Sequence, residues 1–287
     1  MWVAFALGSA LFAGAMAILA KIGMKDTDSN LATALRTVVV AAFAWLMVFV
    51  VGSHNSLVGI DGKSLLFLVL SGLATGGSWL YYFKALQIGD INKVVPVDKS
   101  STVLTMLLSI LLFDEGFSWL KIAAMVLIGA GTYLMIERKT AANKTSKGFK
   151  WLAYASLSAV FASLTAVLGK VGITGVESNL GTAIRTMVVL VMAWVIVLAQ
   201  GKHRDIRSID ARSRVFIGLS GLATGLSWLC FYRALQEGPV SVVVPIDKAS
   251  IVVTIAFGYF VLREKLKIKA LIGLIMIVTG TLSLLVV

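Results

Sequence analysis

The chain repeats itself at a constant offset. Lys21 and Lys170, Arg36 and Arg185, Pro96 and Pro245, and Glu115 and Glu264 are each 149 positions apart (170 − 21 for the first pair). The segment Asn30-Leu-Ala-Thr-Ala-Leu-Arg-Thr37 recurs as Asn179-Leu-Gly-Thr-Ala-Ile-Arg-Thr186, and Ser71-Gly-Leu-Ala-Thr75 recurs as Ser220-Gly-Leu-Ala-Thr224. Val94-Val-Pro-Val-Asp-Lys99 returns as Val243-Val-Pro-Ile-Asp-Lys248. With no gap, roughly 40% of positions agree, well above chance for a long-period repeat. Any fold for this chain must therefore be two copies of one unit, residues 1–138 and 151–287, joined by a basic linker at 139–150.

Hydrophobic residues make up 59% of the 287 positions and charged residues only 14%, with a mean hydropathy of +0.93. A water-soluble domain of this length needs more polar surface, so the apolar excess must face lipid. A helix crossing the hydrocarbon core needs about 20 mainly apolar residues. Such segments occur near 2–22, 31–51, 64–87, 93–112 and 119–137, and again near 151–171, 180–200, 213–236, 242–262 and 269–287. Alternating ten-residue segments of a β-barrel are absent. The expectation is an all-α membrane protein of ten transmembrane helices. An odd number of spans per copy ends each copy on the side opposite to its start, so the two five-helix repeats are inverted.

The formal charge of +12 raises nucleic-acid binding, but the bases lie in short gaps between apolar runs rather than along an amphipathic face. No nucleic-acid partner is expected. Arg138, Lys139, Lys144, Lys147 and Lys150 fill the linker; Lys202, Arg204, Arg207, Arg212 and Arg214 fill the gap at 201–214; Arg263, Lys265, Lys267 and Lys269 fill that at 263–269. All three gaps fall on one side of the ten-span arrangement, which the excess of lysine and arginine marks as cytoplasmic. Both termini then lie outside, although Lys63 and Lys121 of the first copy fall on that outer side. Met1 and Trp2 run straight into an apolar segment, so no cleavable signal peptide is expected. The single cysteine, Cys230, excludes an intrachain disulfide framework, and no metal-ligand spacing is present.

Charged residues within spans cost about 2.5–3.5 kcal/mol each on insertion scales and require partners or water. The candidates are Arg36, Asp98 and Lys99 in the first copy and Arg185, Asp247 and Lys248 in the second, placed by the inversion in two clusters toward opposite faces. Three readings stand side by side. The carboxylates satisfy nearby arginines structurally; or ion pairs such as Arg36 with Asp98 gate one face while the equivalent pair opens; or the cations hold a substrate carboxylate or phosphate. Near span ends, Lys21, Lys84, Lys170 and Arg233 read as snorkelling side chains. Trp79 and Trp228, with Ser78, Ser227, Thr75 and Thr224, lie deeper and either wall a cavity or pack. Pro96 and Pro245 are candidates for a helix break, or simply begin their helices. Gly72, Gly76, Gly221 and Gly225 read as close helix contacts, and Glu115 and Glu264 as caps. No nucleophile, base and oxyanion arrangement or phosphate-binding glycine loop is present, so the chain does not read as an enzyme.

At Pro96-Val-Asp-Lys99, followed by Phe113-Asp-Glu115 and Gly129-Ala-Gly-Thr132, the chain resembles the EamA family of the drug/metabolite transporter superfamily. The second copy matches as Pro245-Ile-Asp-Lys248, Leu262-Arg-Glu264 and Val278-Thr-Gly-Thr281. The likeness of the copies resembles a fusion of short, single-domain, five-span bacterial members. The resemblance implies a ten-helix basket around a central cavity in the bacterial inner membrane, exporting metabolites such as amino acids, coupled to protons or by exchange, without a cofactor. Small multidrug members carry a glutamate in the first span; here that span has no acid, which argues against a cationic-drug antiporter of that kind. The net basic clusters favour a zwitterionic or anionic metabolite, with Asp98 and Asp247 as protonation sites. An organic-phosphate exchanger, and a lipid-linked-sugar flippase accessory or non-transporting membrane scaffold, are the alternatives. The chain would act as a monomer of ten spans or a homodimer among membrane lipid. A carboxy-terminal reporter active only in the cytoplasm is expected to stay silent; fluorescence or colony growth from it would reverse the orientation.

Overall fold

A computed structural model of the chain describes residues 1–24, 27–88, 91–135, 150–260 and 268–286. Most of the linker bases (Arg138, Lys139, Lys144, Lys147), together with Arg263, Glu264, Lys265 and Lys267, lie outside the described residues. Among those described there are twelve α-helices and no strand. The first repeat supplies α1 (Trp2–Gly23), α2 (Ser29–Val51), α3 (Gly62–Ile88), α4 (Ile91–Lys99), α5 (Ser101–Phe113) and α6 (Trp119–Met135). The second supplies α7 (Lys150–Ile173), α8 (Ser178–Ala199), α9 (Ala211–Glu237), α10 (Val240–Lys248), α11 (Ser250–Phe260) and α12 (Ile268–Ser283). Eight helical segments are long and apolar enough to cross a membrane, α10 and α11 counting together as one, and α6 is a shorter apolar helix.

The spans expected at 93–112 and 242–262 are each two helices. The interruptions fall at Ser100 and Ala249, four residues beyond Pro96 and Pro245, which themselves lie inside α4 and α10. Neither residue is unwound: Ser100 has φ −62° and ψ −13°, and Ala249 has φ −65° and ψ −6°. The chain tightens there into a single turn, with Val252 N–H bonded to the Ala249 carbonyl at 2.9 Å, an i→i−3 step of the kind that marks a local 3₁₀ turn. A nine-residue helix rises only ~13 Å, against about 30 Å of hydrocarbon. Asp98–Lys99 and Asp247–Lys248, which the sequence put early in their spans, therefore end half-helices too short to cross the hydrocarbon by themselves.

The repeats do not fold side by side. Helix α1 packs on α9, α3 on α7, α2 on α8 and α6 on α12, so each repeat's main neighbours belong to the other. Glycine sets the closest of these approaches. A Cβ on Gly72 would come 2.7 Å from Val188 Cβ, and one on Gly221 would come 2.7 Å from Val39 Cβ. Gly131 and Gly273 face each other's backbone, a Cβ on Gly131 lying 2.6 Å from the Gly273 carbonyl oxygen. Such contacts let dispersion hold helices together in lipid, where no hydrophobic force separates helix from solvent.

Helix ends are satisfied by side chains, some within a repeat and some across the repeats. Asp114, at φ 52°, ends α5 in the left-handed region, which Asp tolerates better than most residues. The turn carries the Glu115 carboxylate onto α10, where it accepts from Val240 N–H at 2.5 Å and Ser241 N–H at 2.8 Å. This charged cap offsets the positive end of the helix dipole. Lys170 donates to the last carbonyls of α9, Leu235 at 2.5 Å and Gly238 at 2.9 Å, while Gln236 Nε2 donates to Ile173 and Val176 at the end of α7. These contacts gather at one end of the bundle, called end A here. At the other, end B, Asn30 Nδ2 donates to Gln200 Oε1 at 2.7 Å, and Lys202 lies 4.0 Å from Asp28.

Replacing Gly131 by Val is expected to destabilise the protein by about 1–3 kcal/mol through overpacking, read as a lowered melting temperature in detergent. Gly218→Ala, with nothing within 4 Å of the added carbon, should be neutral or better. Equal effects of the two would contradict the α6–α12 contact.

Candidate transport site

Each carboxylate at an interruption is held by a serine of the opposite repeat. Ser9 on α1 donates to Asp247 Oδ1 at 2.6 Å and lies 3.3 Å from Ser227 Oγ. Its equivalent, Ser158 on α7, donates to Asp98 Oδ1 at 2.6 Å and lies 3.4 Å from Ser78 Oγ. Ser9, Ser78, Ser158 and Ser227 are all buried. A hydroxyl bonded to a carboxylate is worth more than a neutral pair and offsets part of the cost of removing that charge from water. Among the described residues no ion pair joins Arg36 to Asp98; each finds another partner.

The lysines behave differently from the aspartates. Lys248 pairs with its neighbour Asp247 at 3.2 Å and keeps a 52% exposed side chain. Lys99 is also exposed. Each lysine closes the first half of an interrupted span, Lys99 at the end of α4 and Lys248 at the end of α10.

The arginines differ from each other. Arg185 is 2% exposed. Its Nε donates to Ser71 Oγ at 3.0 Å and its Nη2 to Thr75 Oγ1 at 2.6 Å. The guanidinium also lies over Trp228 and Tyr232, 5.0 and 4.8 Å from their ring centres, a favourable placement for a cation. Its Nη1 is buried without a hydrogen-bond partner, and no carboxylate pairs with it among the described residues. Arg36 is half-buried and points Nη1 at Met16 Sδ, 3.2 Å away. Trp79, the counterpart of Trp228, packs instead against the apolar cluster of Leu31, Ala193 and Ile217.

Arg233 forms an i,i+4 pair with Glu237 at 2.6 Å, and Lys170 caps α9 rather than reaching for headgroups. A cleft of about 390 Å³ at end A is lined by Asp61, Lys63, Ser64, Phe113 and Lys170 among others; none of the Asp–Lys pairs lines it. Sequence reasoning passed over Ser9, Ser158, Ser71 and Tyr232. Three of these carried a signal, since Ser9 recurs at Ser158 and Ser71 at Ser220 within apolar spans. Tyr232 did not, because Phe83 stands in its place in the first repeat.

Known proteins agree with this architecture. The model of the EamA-like transporter family matches the chain twice, at residues 1–137 and 149–286. A Sinorhizobium sp. protein named as an uncharacterized transporter in the cobO 3' region is 45% identical over 134 residues, covering 47% of this chain and 95% of that protein. That relative is thus about one repeat long. An uncharacterized protein of Methanocaldococcus jannaschii is 28% identical over 83 residues, covering 29% of this chain and 61% of its own length. A crystal structure superposes with a TM-score of 0.75 at 16% identity, over 98% of this chain and 96% of that one, which is a likeness of fold. With both halves matched by one family model, the chain belongs to the EamA-like transporter family.

Proposed function

We propose that this membrane transporter exports small zwitterionic or anionic metabolites, amino acids or their relatives, across a bacterial inner membrane by alternating access, with ten crossings when α4–α5 and α10–α11 each count as one. The observation that carries the reading is the pair of Asp–Lys ends at Asp98–Lys99 and Asp247–Lys248. Each carboxylate is tied to a serine of the other repeat while the lysine side chains stay exposed. Broken helices of inverted-repeat carriers place their binding groups near the midplane in this manner. The balance of charge favours an anionic group on the cargo. Arg185 has no carboxylate partner among the described residues, Lys99 makes no hydrogen bond or ion pair there, and only Lys248 is paired.

Asp98 and Asp247 are assigned the coupling role. Protonation of either would weaken its hold on Ser9 or Ser158, contacts that cross the repeats and so resist their relative movement. An organic-phosphate exchanger is the second reading, and one observation favours it: the side chains of Lys99 and Lys248 are both exposed, leaving ammonium groups that a phosphate dianion would bind.

A thermal-shift screen of amino acids, organic acids and sugar phosphates separates these readings by which solute stabilises the protein. With that solute in proteoliposomes, Asp98→Asn and Asp247→Asn should abolish uptake driven by a pH gradient while retaining exchange. Unchanged turnover and unchanged pH dependence in both variants would remove the coupling role.

A further inference from the structure

The two arginines are equivalent in sequence and stand in different states. Arg185 is docked on Ser71 and Thr75 of α3, between Trp228 and Tyr232 of α9. By the offset of the repeats, Arg36 should dock on Ser220 and Thr224 of α9, beside Trp79 of α3. Both residues are present, yet they are used otherwise. Ser220 Oγ donates to the Ile217 carbonyl at 2.8 Å, and Thr224 Oγ1 donates to the Ser220 carbonyl at 2.6 Å. Arg36 turns to a thioether, a weak acceptor.

We infer that Arg185 with Ser71 and Thr75, and Arg36 with Ser220 and Thr224, are two latches used in turn, the docked arginine holding its own end of the bundle closed. The inference rests on the alternating-access reading above and names the residues that would set its two states. The structure has the end-A latch made and the end-B latch undone.

The undone latch is prepared to close. Thr75 donates to the Ser71 carbonyl at 3.1 Å while accepting from Arg185. Thr224 already makes the equivalent donation to Ser220, so its lone pairs are free for Arg36 without a change of rotamer. Ser71 donates to the Thr165 carbonyl of α7 at 2.7 Å while accepting from Arg185 Nε, which ties α3, α7 and α8 together. Ser220 donates only within its own helix, a weak local bond that is readily exchanged. Two chemical differences separate the latches. Tyr232 stands against Phe83 in the sequence, which gives the end-A latch an extra hydroxyl and a more electron-rich face for the guanidinium. Thr165, whose Oγ1 lies 3.3 Å from Thr75 Oγ1, stands against Met16, the thioether that takes Arg36. Both differences fit the state observed.

The test reads conformation separately from transport. In a Cys230→Ser background, single reporters Ala166→Cys, buried near end A, and Ala17→Cys, its half-buried equivalent near end B, are labelled in proteoliposomes of known orientation with an impermeant maleimide. Ser71→Ala with Thr75→Ala should raise the Ala166→Cys rate roughly ten-fold, as expected for losing hydrogen bonds to a charged group, and lower the Ala17→Cys rate. Ser220→Ala with Thr224→Ala should do the reverse. Misfolding raises both rates together, so the opposite response of the second pair decides the matter if the first unfolds the protein. Rates that do not move, or that move alike for both pairs, overturn the latch. Opposite shifts without transport of any screened solute would leave the latch standing and remove the proposed metabolite cargo.

Discussion

A carboxylate buried among membrane helices must be given hydrogen-bond donors, and in this fold the donors come from the other half of the chain. Ser9 reaches Asp247 and Ser158 reaches Asp98, both at 2.6 Å. Neither repeat can satisfy its own acid this way. The same reciprocity appears where Glu115 of the first repeat caps α10 of the second and where Gly131 and Gly273 press backbone on backbone. Polar satisfaction and close packing therefore both demand the intertwined arrangement, and a half-chain would leave its carboxylate and its glycine grooves unfilled.

Two repeats of related sequence give two equivalent sets of contacts, but the structure does not use them equally. Arg185 is enclosed by hydroxyls and aromatic rings, and Arg36 is not. The serine–aspartate bonds, by contrast, are made on both sides. The fold thus separates the symmetric serine–aspartate contacts from arginines that differ between the halves. A substrate group near those contacts would meet the same chemistry whichever end were open, which is what a carrier with inverted repeats requires.

Much of this was legible in the sequence. The 149-residue offset and the apolar spans gave the helical class, the two repeats and the family likeness, because burial in lipid writes itself as long uncharged runs. The interruptions at Ser100 and Ala249 were not legible. They differ from helix by a change in ψ, and the prolines that drew attention lie four residues earlier. Nor were the partners of Asp98 and Asp247, since a hydrogen bond between residues 60 or 238 positions apart depends on which helices pack together. Arginine looked like the natural partner for aspartate on charge alone. Packing gave each aspartate a serine instead, and gave Arg185 an aromatic and hydroxyl enclosure. Repeated small polar residues in apolar spans were the signal that charge-led reasoning overlooked.

The reciprocal serine–carboxylate contact is open to one direct measurement. A double-mutant cycle of Ser9→Ala and Asp247→Ala, followed by unfolding in detergent, isolates the energy of that contact from the effects of each residue alone. A coupling of about 0.5–3 kcal/mol is the result this account requires, since the pair joins residues 238 positions apart and on different repeats. Simple additivity of the two substitutions would contradict the interlocked centre on which the rest of the structure depends.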